Sequence, residues 1–143
     1  RSKKKQKHGR LAAIWGLNAA LDASNDFLTL CTSFTSMMMT AHVYQTKSIV
    51  PYLEKQALNI CAKKGDLLEF QELKVIAALY GGIFFSRWLR GEIIKAIRIG
   101  FITMRMAQTM DSVFLKLLIL PRLAHLLMIS CRHSEVVALL REL

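Results

Sequence analysis

Proline, glycine and cysteine are scarce in this sequence. The 143 residues contain two Pro, seven Gly and three Cys. So little Gly and Pro excludes a collagen-like chain, a Pro-rich chain and most loop-rich all-β architectures. The cysteines, Cys31, Cys61 and Cys131, are odd in number, far apart and without a Cys-x-x-Cys pair. We therefore expect reduced, buried thiols, as in a cytosolic protein.

The sequence also lacks a long apolar run that is typical of a membrane span. Its longest uncharged stretch, residues 27–46, is rich in Ser and Thr and includes His42. The Leu-rich residues 113–129 carry Lys116 and Arg122, and charged side chains are costly inside lipid. Because a span needs about 20 mainly apolar residues, we predict no membrane span.

Motifs of enzymes and cofactor sites are missing too. The chain has no phosphate-binding loop, no dinucleotide-binding glycine pattern, no zinc-protease motif and no nucleophile elbow. Cys131, His125 and His133 are residue types that bind metals, but their spacing fits no common zinc pattern and a fourth ligand is missing. We therefore predict no catalytic residue, no metal and no cofactor in this segment.

The composition is that of a folded chain. Hydrophobic residues make up 53% and charged residues 21%, which excludes a disordered protein. The length fits one domain. Since the chain starts at Arg1 and ends within a helical pattern, we expect a piece of a longer protein.

Positive charge is concentrated at the start. The formal net charge is +10, and six of the 20 Lys and Arg residues lie in residues 1–10 (RSKKKQKHGR), which contain no acid. Such a run is either a solvated, mobile segment or an arm that binds polyanions. We predict a basic flexible tail at residues 1–10 and a folded segment at residues 11–143.

Apolar residues recur at helical spacing along most of the chain. In residues 92–108 they form two stripes, which predicts a helix with neighbours on two sides. Residues 48–64 predict a helix with Pro51 in its first turn and Gly65 after its end. Residues 67–80 predict another helix, broken by the Gly81–Gly82 pair, and Pro121 predicts a kink within residues 112–131.

A repeat is suggested by the acidic turn residues Asp26, Asp66 and Asp111, each followed by an apolar run. Their spacing is typical of helical-hairpin arrays such as tetratricopeptide (TPR) repeats. First helices of the pairs are expected near residues 11, 49, 91 and 133. We predict an all-α fold of antiparallel hairpins stacked as a degenerate TPR-like array, part of a larger solenoid. The alternative is a compact helical bundle.

One candidate binding surface combines positive charge with a helix face. The basic strip consists of Arg87, Arg90, Lys95, Arg98 and Arg105. It would favour an acidic protein partner and association that depends on salt. Nucleic acid binding, with Trp88 as a stacking platform, is the less favoured alternative.

Two segments resemble a known family. Residues 91–143 read GEIIKAIRIGFITMRMAQTMDSVFLKLLILPRLAHLLMISCRHSEVVALLREL, and residues 41–79 read AHVYQTKSIVPYLEKQALNICAKKGDLLEFQELKVIAAL. Both resemble the helical, TPR-like C-terminal region of the mammalian-type soluble, bicarbonate-responsive adenylyl cyclases. The resemblance implies a parent enzyme that makes cyclic AMP from ATP with domains outside this segment. It also implies a cytoplasmic location, in cilia or sperm flagella.

The leading functional hypothesis is therefore a non-catalytic helical-repeat scaffold or regulatory segment of such an enzyme. Its partner would be a protein, either the rest of its own chain or a member of an assembly. A stand-alone adaptor of a ciliary or cytoskeletal assembly is the alternative, and a basic nucleic-acid-associated helical protein is a third, less favoured one.

Overall fold

The computed structural model describes residues 2–22, 26–43, 47–64 and 69–141, and all regular structure in these ranges is helical. The predicted all-α class is thus confirmed for this part of the chain. A short 3-10 helix at Lys47–Ile49 precedes the third α-helix. The α-helices are α1 (Ser2–Asp22), α2 (Phe27–Val43), α3 (Val50–Lys64), α4 (Phe70–Leu89), α5 (Ile93–Thr109), α6 (Val113–Ile129) and α7 (His133–Arg141).

Helices α3 and α5 match the predicted helices 48–64 and 92–108 within two residues at each end. Pro51 occupies the first turn of α3, where a missing N–H removes no intrahelical hydrogen bond. Helices α3, α5 and α7 begin near the residues 49, 91 and 133 expected for first helices, whereas α1 begins well before residue 11. The predicted turn residues Gly65 and Asp66 lie outside the described residues.

The prediction that Gly81 and Gly82 break a helix is wrong, because α4 continues through both of them. A glycine in a helix interior costs roughly 1 kcal/mol relative to alanine. Packing on several sides offsets this cost, since α4 contacts α2, α3, α5 and α6. A Cβ atom added at Gly82 would lie 3.3 Å from Cγ2 of Thr35, so the missing side chain allows α2 to approach α4 closely.

Pro121 does not divide its segment into two helices. A single helix, α6, runs through it from Val113 to Ile129. Two separate helices in this segment are therefore excluded, and the kink at Pro121 stays a prediction.

The ends of α4, α5 and α6 share one geometry. Gly91, Asp111 and Cys131 follow these helices with φ angles of 73°, 47° and 57°, at intervals of 20 residues. Each left-handed residue allows the next N–H to reach back to the fifth carbonyl before it, which is the Schellman motif. These hydrogen bonds are Glu92 N to Arg87 O (2.9 Å), Ser112 N to Ala107 O (2.8 Å) and Arg132 N to Leu127 O (2.9 Å). Asp111 is thus a turn residue, as predicted.

Helices that follow one another along the chain pack against each other in the core. Helix α1 contacts α2, α2 contacts α3 and α4, α5 lies between α4 and α6, and α6 contacts α7. The two-sided packing predicted for α5 is confirmed, and Ile97 is buried within it. Ile94 and Ile102 belong to the predicted stripes of α5 but are exposed. Stacking of the hairpins as a TPR-like array or solenoid stays a prediction.

The predicted tail is continuous with a helix. Residues 2–10 belong to α1, so the boundary predicted after residue 10 falls inside that helix. Lysine, the commonest residue in this stretch, is a good helix former, which is consistent with the observed helix. That residues 1–10 contribute little to folding stays a prediction. Among the helices of the described ranges, none is long and apolar enough to cross a membrane.

The closest helix crossing gives the first testable prediction. A Cβ atom at Gly100 would lie 2.9 Å from Cε2 of Phe84 and 3.0 Å from Cδ1 of Leu123. We expect Gly100→Ala to lower the free energy of unfolding by about 1–2 kcal/mol, because overpacking outweighs the better helix propensity of alanine. Urea denaturation followed by circular dichroism measures the change.

Gly81→Ala is the matched control, since a Cβ atom there would lie 3.8 Å from Cδ1 of Ile119, an ordinary contact. This variant should be as stable as the parent or more stable, by up to about 1 kcal/mol. Equal stabilisation by both substitutions would contradict the close crossing at Gly100.

Candidate functional site

The basic strip predicted from sequence extends over two helices, and its five residues have different surroundings. Arg87 and Arg90 lie at the C-terminal end of α4, where their side chains are 15% and 12% exposed. Lys95, Arg98 and Arg105 lie on α5 and are exposed. The structure therefore separates two half-buried arginines from three accessible cations.

A carboxylate from α3 accounts for the burial of the two arginines. Glu54 is only 8% exposed. Its Oε1 accepts hydrogen bonds from Nε of Arg87 at 2.7 Å and also from Nη2 of Arg87, and its Oε2 accepts one from Nη2 of Arg90 at 2.7 Å. Opposite charges in such contact compensate each other's desolvation. Through Glu54, Arg87 and Arg90 thus connect the end of α4 to α3 and stabilise the fold.

Glu92 extends this cluster to α5. Its carboxylate lies 2.8 Å from Nε of Arg90 and 3.1 Å from Nζ of Lys95. Partial burial raises the pKa of Glu92, but the hydrogen bond from Lys95 and the charges of Arg90 and Lys95 outweigh it, so the pKa is lowered overall. These ion pairs are therefore fully formed above the usual pKa range of a glutamate and are lost as the pH falls through the lowered value.

Sequence analysis missed Glu54, which lies 33 and 36 residues before its two partners. No local spacing connects residues so far apart. The one available signal was an acidic residue directly after Leu53 on the inner face of α3.

The accessible cations form a second feature, the α5 face, which consists of Ile94, Lys95, Arg98, Ile102 and Arg105. Ile94 and Lys95 are adjacent, and the other residues follow at intervals of three or four positions, which places them on one face of the helix. All five are exposed. Within the described part of the chain, no ion pair involves Arg98 or Arg105. An acidic surface could approach this face without breaking an existing ion pair of these two arginines.

An apolar groove lies between α2, α4 and α6, away from the α5 face. A cavity of about 280 Å³ is lined by Thr35 and Met39 of α2, by the middle of α4 and by the start of α6. A second cavity of about 410 Å³ adjoins it and extends to Phe70 and Lys74. The residues shared by the two cavities are Ala78, Phe114 and Leu115.

Large apolar side chains are exposed along this groove. Phe114, which lines both cavities, is 74% exposed. Phe70 and Met39 are also exposed. A contiguous exposed apolar surface marks an interaction site more often than a free surface of a soluble domain. The Leu-rich sequence of residues 113–129 does not indicate which of them face solvent.

The structure brings two of the three cysteines together. A thiol–thiol hydrogen bond with Cys61, together with burial, raises the pKa of Cys31, and the same bond lowers the pKa of Cys61. All three cysteines are free thiols, but the prediction that all are buried is wrong, because Cys131 lies in an exposed turn. No cluster of three metal-binding side chains is present among the described residues.

Trp88 packs against the core, with its ring centroid 5.4 Å from that of Phe85. The guanidinium of Arg122 lies over both rings, at 4.6 Å from Phe85 and 6.0 Å from Trp88. A ring held in this way anchors the end of α4, which is the structural alternative to a nucleic-acid stacking platform.

Comparisons with known proteins were made for the whole chain. No protein family matches it, and neither does a curated protein or a solved structure.

The ion-pair cluster gives the second prediction. Glu54→Gln keeps the shape of the side chain but removes the negative charge between Arg87 and Arg90. We expect the free energy of unfolding to fall by about 2–4 kcal/mol, because two half-buried cations lose their shared counter-charge. Chemical denaturation at neutral pH measures this loss.

Arg98→Gln serves as the control, since Arg98 is exposed and its substitution should change stability by no more than about 0.5 kcal/mol. If Glu54→Gln were tolerated equally well, the cluster would not be a structural element.

Proposed function

We propose that this chain is a non-catalytic helical scaffold that binds an amphipathic helix of a protein partner in the groove between α2, α4 and α6. The observation that carries the proposal is the exposure of Phe114 and Phe70, which line this groove. Helix-in-groove recognition uses apolar anchors at positions i, i+3, i+4 and i+7, and it needs an elongated apolar surface between helices.

The shape and chemistry of the groove support a helix rather than a small polar ligand. The two cavities adjoin along α4 and α6, which gives an extended surface. Their lining is apolar apart from Thr35, Ser112 and Lys74. Aromatic and Met side chains such as Phe114 and Met39 are enriched at the centres of protein interfaces.

Charge favours a partner with an acidic polar face. The chain carries 20 Lys and Arg against ten Asp and Glu. At the groove itself, Nζ of Lys74 lies 4.6 Å from the centre of the Phe70 ring, whereas Lys116 pairs with Asp111. Like-charged partners would be repelled by the net positive charge, and acidic partners would be attracted over distance.

This proposal is consistent with both contexts inferred from sequence. In a protein resembling the soluble adenylyl cyclases, the chain would be a regulatory segment that binds another part of the same polypeptide. As a stand-alone adaptor, it would bind a component of a ciliary or cytoskeletal assembly. The three exposed cations of the α5 face would then provide a second, salt-dependent contact.

A designed peptide tests the groove. The probe is a labelled helix with Leu at positions i, i+3, i+4 and i+7 and Glu on its polar face, and fluorescence anisotropy measures its binding. We expect Phe114→Ser and Phe70→Ser each to weaken binding about tenfold or more, because each removes an apolar anchor worth about 1–2 kcal/mol or more.

Ile94→Ser is the matched control, since Ile94 is 67% exposed but lies on the α5 face. It should leave the affinity unchanged, and a scrambled peptide of the same composition should bind much more weakly. Equal affinity for both peptides, no binding of either, or equal effects of Ile94→Ser and Phe114→Ser would contradict the proposed groove.

The non-catalytic part of the proposal has its own test. The 143-residue chain, supplied with ATP, Mg²⁺ and bicarbonate, should produce no cyclic AMP above a protein-free blank in a sensitive immunoassay. The reason is that the resemblance places the cyclase domains outside this segment, and all regular structure in the described residues is helical. Production of cyclic AMP that scales with protein concentration would refute it.

A further inference from the structure

Helix α1 exposes apolar side chains that no other helix of the described chain covers. Trp15 is 69% exposed, and Leu11, Ile14 and Leu21 are each more than 40% exposed. Among these described residues of α1, only Leu17 packs against the core. Helix α1 contacts α2 and no other described helix.

These four apolar residues share one side of the helix. At about 100° per residue, Leu11, Ile14, Trp15 and Leu21 fall within an arc of roughly 120°. Leu17 lies outside this arc, toward α2. Asn18 and Asp22, the last residue of the helix, also fall within the arc. We call the side formed by Leu11, Ile14, Trp15 and Leu21 the α1 apolar side.

Positive charge precedes this side in the sequence of the same helix. Residues 2–10 of α1 include five Lys and Arg and no acid. One helix therefore combines a basic first half with a second half that exposes apolar side chains.

This combination fits the surface of an anionic lipid bilayer better than it fits nucleic acid. Phosphates of nucleic acids would be bound by the cations, but three exposed aliphatic side chains would gain nothing from that contact. At a membrane surface, Trp and Leu enter the boundary between headgroups and acyl chains, while Lys and Arg stay with anionic headgroups. Each class of contact alone gives weak binding, and the two together give stable binding.

We propose that α1 is an interfacial anchor that binds anionic membranes through its basic first half and the α1 apolar side. The helix would lie on the bilayer and not cross it. The inference is independent of the groove, because none of the residues that line the two cavities belongs to α1.

Vesicle flotation with the full 143-residue chain tests this anchor. Vesicles of phosphatidylcholine with about 30% phosphatidylserine are compared with vesicles of pure phosphatidylcholine, near physiological salt. We expect binding to be about tenfold or more stronger to the anionic vesicles and to weaken as salt increases. Brominated acyl chains should quench Trp15 fluorescence when the protein is bound.

Three variants separate insertion from simple charge attraction. Trp15→Ser and Leu11→Ser should each weaken binding to anionic vesicles about threefold to tenfold, because each removes apolar area from the lipid boundary. Ile94→Ser removes an equally exposed apolar side chain from α5 and should have no effect. Circular dichroism confirms that each variant keeps its helix content.

Several outcomes would overturn the anchor. These are equal binding to both kinds of vesicle, binding that Trp15→Ser leaves unchanged, and no quenching by brominated lipid. Tighter binding to double-stranded DNA or RNA than to anionic vesicles would replace the membrane with nucleic acid as the target. Phe114→Ser should not change vesicle binding, so failure of the groove and failure of the anchor can be told apart.

Discussion

The ring of Phe84 occupies the space that a side chain at position 100 would need, and this contact sets the distance between α4 and α5. Leu123 of α6 reaches the same point from the other side. Three helices therefore meet around one glycine, and the buried residues of the larger core cluster extend outward from there. Close-packed interiors transmit small displacements, so a shift at this crossing would move every helix that contacts α4. Both the ion-pair cluster and the apolar groove depend on that spacing.

The cluster around Glu54 shows why cations that are similar in sequence have different roles in the fold. Arg87 and Arg90 share one half-buried carboxylate, so they are positioned by α3 and are not available to a partner without breaking the fold. Arg98 and Arg105 are exposed on the next helix. A partner that needs positive charge would therefore contact α5 and not the end of α4, because the desolvation of Arg87 and Arg90 is already compensated within the molecule.

Exposed apolar side chains occur on two separate sides of this structure, and their chemistry differs. The groove side combines Phe114 and Phe70 with one lining cation, Lys74, which suits the apolar face of a helix. The α1 side combines Trp15 with a run of positive charge, which suits an anionic surface. A scaffold with both surfaces would hold a protein partner close to a membrane. None of the residues that line the two cavities of the groove belongs to α1.

The sequence by itself determined the helical class, the bounds of α3 and α5 and the turn at Asp111, because periodicity and turn residues act over a few positions. It failed at Gly81 and Gly82, where contacts from α2 and α6 stabilise a helix that local propensity disfavours. It placed five cations in one strip, but only the tertiary structure decided which of them meet Glu54, more than 30 positions away. Likewise, the apolar run of α6 did not reveal that Phe114 faces solvent while Leu115 is buried. Local rules fix the elements, whereas the partners of a side chain depend on which helices the chain brings together.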